Sequence, residues 1–558
     1  MYILTRYNCR EASTTEILSA GTPPRRTYLA RASAMRSWAL LAVLRLVRAS
    51  SLLLTDPHRL PPLDPKTTEL PFDQLLFERA AAASVEQHVP PATWQAVAHR
   101  LEKVGTLHVA VLGMSTTSGC GVKTPEVFCD PDESWARRMH DGLALALHAM
   151  PNRPRLQSQI SFKAAVSPLF YTSCISEYVP PKTDIVLLEV VQNIVFDSAL
   201  PSIWDGVRAL LQALQRAAPR AVVAFVALPQ PNQLGLDAFW QPLRQLAAEH
   251  KCDLIHTVPA MQPSLPVLEH EDILSWPASR FALDFKASDV WYAYRGGCKN
   301  FAACRDHHPN PMGHQLMAML AVSHIRRRLR DAATQQPSTG RHRSEMNAEP
   351  TGSSVLREKC FAEGQLPMSK GSTGFELRDE GARGKGVRKA GLVSNRVGDM
   401  LRIGPLQLHE LGVSRECAVA TSRLGYFATT YPGQGDLHLS CHGCVCSAFN
   451  DSSRFREGFL PFPRVSTNNA LHIMGTGKNY SGTSTTVFHT TMRRDVPCYV
   501  VVRHTRSRLA HHDDAPSHVR VDSFALSAES SLASSSEGAV LKATCGQVAR
   551  KHPKHPHT

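Results

Sequence analysis

Four short runs of nearly continuous apolar residues recur between residues 105 and 330: LHVAVLG (107–113), DIVLLEVV (184–191), AVVAFVAL (221–228) and CDLIHTV (252–258). Each is rich in Val, Ile and Leu with little polar alternation, the pattern of a strand covered on both faces. Between them lie segments with helical spacing: SWARRMHDGLALALHAM (134–150), WDGVRALLQALQRAA (204–218), LDAFWQPLRQLAAEH (236–250) and PMGHQLMAMLAVSHIRRRL (311–329). Strands alternating with helices restrict this stretch to an α/β fold with a parallel, doubly wound sheet. Asp132 reads as the cap of the first helix and Pro242 as a kink or break in the third. Asn310 and Pro311 read as N-cap and first residue of the last. In such sheets ligands bind beyond the carboxyl ends of the strands.

The chain of 558 residues exceeds one hydrophobic core. Residues 1–55 read as a targeting or signal-anchor region, because Arg36 precedes the apolar run SWALLAVLRLV. Arg45 and Arg48 interrupt that run, which argues against a full membrane span. Residues 1–34 read either as an upstream extension or as part of an organelle-targeting peptide; the favoured expectation is the secretory pathway, extracellular or held by a membrane anchor near residues 36–54. Residues 56–104 are a helical lead-in, with FDQLLFERAAAASVEQ and PATWQAVAHRLEKV; residues 331–358 are a polar linker. From 359 to 523 short alternating runs such as GDMLRIG, DLHLSC and CYVVVRH predict an all-β sandwich. Residues 524–558 read as a disordered basic tail.

Lys and Arg outnumber Asp and Glu by 62 to 48, a net charge of +14 that suits an anionic polymer or membrane surface. No recognition helix, RNP-like aromatic motif or finger spacing accompanies it, so nucleic-acid binding is not expected. The 14 cysteines are spread along the chain. Cys441, Cys444 and Cys446 in CHGCVC have two readings: zinc ligands together with Cys498 or a histidine, or disulfides in an oxidising compartment. Disulfides are the expectation, with no metal and no cofactor. Cys120 and Cys129 are near enough in sequence to bridge.

Ser115 follows the first strand, in Gly113-x-Ser115-x-Thr117-x-Gly119. Glycine at both ends permits a sharp turn that presents the hydroxyl outward; the same serine would serve as a plain helix cap. A nucleophile also needs a base and an oxyanion hole. His308, in RDHHPNPMGH, sits before Pro309 on a loop fixed by the helix that follows, although the chain has 26 histidines. His307 competes for the role, and His314, in the first helical turn, reads as structural. Asn193, just past the second strand, is either an oxyanion donor or a turn residue. Glu189, a carboxylate within an apolar strand, needs a partner, and the loop of Ser115 would supply one.

Together these blocks resemble the SGNH/GDSL hydrolase superfamily over about residues 105–330. Gly113–Gly119 is similar to the first block, G-D-S-x-(S/T)-x-G, with Met114 in place of the aspartate and Trp135 opening the next helix. Val191–Ile194 retains the asparagine of the block G-x-N-D. Arg305–Pro309 is similar to D-x-x-H-P, but the aspartate position holds Arg305, and Asp306 lies one residue closer to His308. The glycine of the second block is missing from SFKAAVSPLFYTS, where Ser167 offers its N–H instead. The β-rich part resembles a companion domain that follows SGNH domains in some algal and fungal proteins.

The resemblance implies a serine esterase with Ser115 as nucleophile, His308 as base and Asp306 orienting it. Ser115 N–H, Ser167 N–H and the Asn193 amide would form the oxyanion hole. The implied reaction is hydrolysis or transfer of an acyl group, O-acetyl above all, on a carbohydrate or small ester. The alternative is a glycan-binding protein that keeps the fold without the chemistry.

Overall fold

The computed structural model describes residues 74–122, 129–150, 152–164, 166, 168–172, 174–191, 201–228, 237–261, 292–294, 305–334, 358–362, 365–379, 390–413, 415–428, 435–448, 464–466, 470–473, 482–506 and 517–528. The signal-anchor region and its 36–54 segment, most of the linker and the chain after residue 528 lie outside them. All described residues belong to one unit, Pro62–Thr558, within which two lobes differ in architecture.

The first lobe opens with α1 (Gln74–Ala83), the two-residue β1 (Val85–Glu86) and α2 (Pro91–Val104). It continues with β2 (Thr106–Gly113), α3 (Trp135–His148), β3 (Arg155–Phe162) and the short helices α4 (Pro168–Thr172) and α5 (Ile175–Tyr178). β4 (Ile185–Glu189), α6 (Pro201–Ala217), β5 (Val222–Ala227), α7 (Asp237–Glu249), β6 (Asp253–His256) and α8 (Val258–Met261) follow. An antiparallel pair, β7 (Tyr292–Tyr294) and β8 (Arg305–Pro309), leads into α9 (Pro311–Thr334).

The sheet order is β1-β6-β5-β4-β2-β3, parallel except for β1 at one edge. The four expected strands are its middle, and every residue of β4, β5 and β6 is buried. One face packs on α6 and α7 through Val207, Leu210, Leu214, Phe239 and Leu243. The edge strand β3 has no counterpart in the sequence reading. Its run RLQSQISF is half polar and only partly buried, because an edge strand is covered less well.

Other local expectations also shift. The cap of α3 is Ser134, whose side chain accepts from Arg137 N–H, while Asp130 caps the 3-10 turn that includes Asp132. Pro242 lies inside α7 without ending it. Asn310 caps α9, its side chain accepting from Gly313 N–H at 2.9 Å. That helix runs on to Thr334, since Ile325, Leu329 and Ala332 keep its buried face going.

The second lobe is the expected β-sandwich. Its strands are β9 (Glu358–Ala362), β10 (Glu376–Asp379), β11 (Ala390–Ser394), β12 (Met400–Leu406), β13 (Cys417–Ala428) and β14 (Asp436–His442). β15 (Cys444–Ala448), β16 (Arg464–Ser466), β17 (Ala470–Ile473), β18 (Gly482–Arg493), β19 (Cys498–Thr505) and β20 (Val519–Ala528) complete it. One sheet runs β10-β11-β20-β13-β18-β15, with β9 also on β20; the other runs β12-β19-β14-β17-β16. Leu424, Tyr426, Phe488 and Phe524 from the first meet Ile403, Leu437, Val500 and Val502 from the second in a common core. The strand β20 extends into the segment expected to be tail, because Phe524 and Leu526 are core residues.

Cys441 pairs with Cys446 and Cys444 with Cys498, so the thiols considered for zinc join the two sheets. Cys120 pairs with Cys129 as the spacing suggested, and Cys174–Cys360 joins the lobes. Among the described residues no helix is long and apolar enough to cross a membrane.

Candidate active site

The turn that carries Ser115 leaves the carboxyl end of strand β2. Glycine is required at both of its ends. A Cβ on Gly113 would lie 1.7 Å from Thr117 Oγ1. Gly119 has φ +76° and would put a Cβ 1.8 Å from the Asp130 carbonyl oxygen. That close approach lets Asp130 N–H donate to Gly119 O at 3.1 Å, beside the Cys120–Cys129 disulfide. Cys120 N–H and the Ser118 hydroxyl both donate to Ser115 O, at 3.1 and 2.7 Å.

Glu189, the last residue of β4, holds the turn from below. Its Oε2 accepts from Met114 N–H (3.0 Å), Thr117 N–H (3.1 Å) and the Thr117 hydroxyl (2.9 Å). The partner expected for this buried carboxylate is therefore the loop of Ser115. Trp135 Nε1 donates to Thr117 Oγ1 at 3.1 Å. The Tyr171 hydroxyl donates to Gly113 O; burial pushes its pKa well above the ordinary value, so it stays a donor. His314 is fully buried: Nδ1 accepts from Trp135 N–H and Nε2–H donates to Cys120 O, both at 3.1 Å. Burial lowers its pKa to about 3, so it is neutral and structural, tying α9 and α3 to the turn.

His308 approaches from β8, a short strand where the sequence suggested a loop; pairing with β7 fixes its backbone. Its Nε2 lies 2.8 Å from Ser115 Oγ, and both residues are buried. A hydroxyl and an imidazole 193 positions apart in the chain thus share a hydrogen bond at the carboxyl end of the sheet. The chain has a doubly wound α/β fold with this pair at the ligand-binding end of its sheet. Its parallel sheet carries the serine after β2, the histidine just before the last helix, and a second, β-rich lobe beyond.

No family model matches the sequence, and no curated protein matches it. Solved structures of similar shape include a two-domain esterase active on acetylated mannans, with 12% identity, 80% of this chain and 98% of that one covered, and a TM-score of 0.45. The psychrotrophic esterase EstA from Pseudoalteromonas sp. aligns over 40% of this chain and 96% of its own at 14% identity and TM-score 0.24. An extracellular lipase from Streptomyces rimosus covers 39% and 97% at 16% and 0.22.

Of the other candidate residues, Asn193 and Ser167 lie outside the described residues. Asp306 is placed in β8 by its backbone, but its side chain and that of His307 are outside the description. Among the described residues no group of three or more His, Cys, Asp or Glu is arranged to hold a metal. Tyr171 had no signal in the sequence. It stands in an ordinary apolar stretch, PLFYT, and only the fold turns its hydroxyl toward Gly113.

Burial raises Glu189 from 4.5 to about 7, against the lowering effect of its three hydrogen bonds. Between these values the folded protein binds more protons than the unfolded chain, so this group makes stability fall as pH rises from about 4.5 to about 7. Urea midpoints measured across that range will show the fall in the wild type and lose it in Glu189→Gln, whose amide oxygen still accepts. Glu189→Ala strands three donors and will cost about 2–3 kcal/mol. A wild-type profile identical to that of Glu189→Gln would count against this assignment.

Proposed function

We propose that the protein is a carboxylic ester hydrolase of the SGNH type, with Ser115 as nucleophile and His308 as general base. The observation that carries this is the 2.8 Å contact between His308 Nε2 and Ser115 Oγ at the ligand-binding end of a parallel sheet. With its own proton on Nδ1, His308 accepts the serine proton at Nε2 as Oγ attacks the acyl carbon. The Ser115 N–H is the first oxyanion donor: among the described residues the turn's own bonds run from Met114, Thr117, Ser118, Gly119 and Cys120. Ser167 N–H and the Asn193 amide are the proposed second and third. Collapse of the tetrahedral intermediate expels the alcohol, which takes the proton from His308. Water, activated by the same imidazole, then releases the acid from the acyl-enzyme. Asp306 is proposed to orient His308.

The proposed substrates are O-acyl esters, acetyl above all, on carbohydrates or small molecules, following the motif resemblance. Transfer to a second alcohol in place of water is the same chemistry. The disulfides Cys120–Cys129, Cys174–Cys360 and Cys444–Cys498 support an oxidising compartment, and so a secretory destination. Arg305 at the position of the family's aspartate favours the second reading, a glycan-binding protein without turnover. A fluorophosphonate probe separates the two. Covalent labelling of the wild type at Ser115, absent in Ser115→Ala, is expected; an unlabelled wild type that binds acetylated oligosaccharide would leave the binding reading standing.

A further inference from the structure

We infer that the β-rich lobe is a positioning element for the nucleophile turn, acting through the segment 163–176; this rests on Ser115 being the nucleophile. The Gly113 carbonyl, two residues before Ser115, is gripped by this segment from two points. Lys163 N–H donates to it at 3.1 Å, and the Tyr171 hydroxyl donates to it as well. Gly113 has no room to shift toward the turn, because Thr117 already fills the space beside it. Whatever moves the segment therefore moves the start of the turn.

Both ends of the segment are fastened to the second lobe. At one end the Lys163 side chain is 4% exposed. Its ammonium lies 3.9 Å from Asp522 Oδ1 and 5.1 Å from the Phe170 ring centroid, and among the described residues no hydrogen bond satisfies it. Asp522 is fully buried on β20, where Arg520 holds both its oxygens at 2.8 and 3.3 Å. At the other end Cys174 is bonded to Cys360 on β9, and the Ser176 hydroxyl donates to Glu358 Oε2 at 3.3 Å. The two anchoring strands are paired with each other, Ala525 opposite Cys360. One paired stretch of sheet thus holds both ends of the segment that grips Gly113. A tether that served only to keep the lobes together would need one such link, placed anywhere between them. A buried charge pair is weakly screened and strongly directional in its demands, so losing one partner forces its neighbours to move. Displacement of a reacting group by about 1 Å costs up to about a hundredfold in rate.

Two variants of the full chain test this: Lys163→Met, which keeps the backbone bond to Gly113, and Cys174→Ser/Cys360→Ser, which leaves the buried charges in place. The first readout is amide hydrogen exchange of the turn 113–120, followed by mass spectrometry. It should quicken by on the order of tenfold in each variant, while β5 keeps its protection. The second is hydrolysis of p-nitrophenyl acetate, where kcat should fall about tenfold with KM unchanged and Lys163→Arg should recover most of the loss. Turn exchange and kcat at wild-type levels in both variants overturn the inference. If Lys163→Met does not fold, the cysteine pair decides. A wild type without turnover or fluorophosphonate labelling sinks the nucleophile assignment instead, whatever the exchange data show.

Discussion

Ser115→Ala and His308→Ala will each lower kcat for p-nitrophenyl acetate by on the order of 10⁴-fold or more, and the double variant will fall no further. In the proposed mechanism hydroxyl and imidazole act as one unit. Without the base the serine is a weak nucleophile, and without the serine the imidazole has no proton to take. Their 2.8 Å contact is the only link this demands. Neither substitution should unfold the chain. Each removes the hydrogen bond between them, worth about 1 kcal/mol, while the turn keeps its bonds to Glu189 and from the Ser118 hydroxyl. Thermal midpoints near that of the wild type would confirm that the loss is chemical. Rate losses that multiply in the double variant would mean that the two residues act independently, and the proposed mechanism would fall.

The largest effect on stability is expected at Asp253, the first residue of β6. It is fully buried and accepts from His88 N–H and Val89 N–H at 2.8 Å, Trp94 Nε1 at 3.3 Å and His324 Nε2 at 3.0 Å. Its carboxylate therefore joins β6 to the β1–α2 connection and to α9, the helix that follows His308. Burial alone would raise its pKa; the His324 hydrogen bond and charge, with the Val89 and His88 N–H groups, outweigh that and lower it. Burial lowers the pKa of His324, against the pull of Asp253, so the ring is a neutral donor at neutral pH.

Asp253→Ala will lower the free energy of unfolding by about 3–5 kcal/mol, read from urea denaturation. It leaves four donors without an acceptor, and the Arg328 guanidinium, 3.9 Å away, without its counter-charge. The pH dependence follows in sign. Both groups bind fewer protons folded than unfolded, so their contribution is present at neutral pH. It is lost as pH falls, first through the unfolded histidine range and then through the carboxylate range. Because Asp253 opens β6, at the end of the parallel sheet opposite to Ser115, activity in Asp253→Ala should decline with the folded fraction, not ahead of it. A variant as stable as the wild type would show that the buried network is replaceable.

Much of this protein was legible because one-dimensional signals matched their physical causes. The apolar runs of β2, β4, β5 and β6 could only be strands covered on both faces. The glycines at 113 and 119 marked a turn with no space for side chains, which the contacts with Thr117 and Asp130 explain. Asn310 before Pro311 fixed the start of α9, and the lone carboxylate of Glu189 among apolar neighbours demanded a partner. Other features carried no such mark. β3 is half polar because it lies at an edge, and β1 is two residues long. Tyr171 lies in an unremarkable run, and its role depends on which carbonyl it reaches across the fold.

The sequence by itself determined the alternation of elements, the sharp turn at Ser115 and the β-rich texture of the second lobe, since these follow from periodicity and from residues with restricted backbone options. Only the tertiary structure decided that His308 reaches Ser115, that CHGCVC forms disulfides, and that Lys163 answers to Asp522. Each of these depends on a distance between residues far apart in the chain, and such distances are set by packing, which no local pattern encodes.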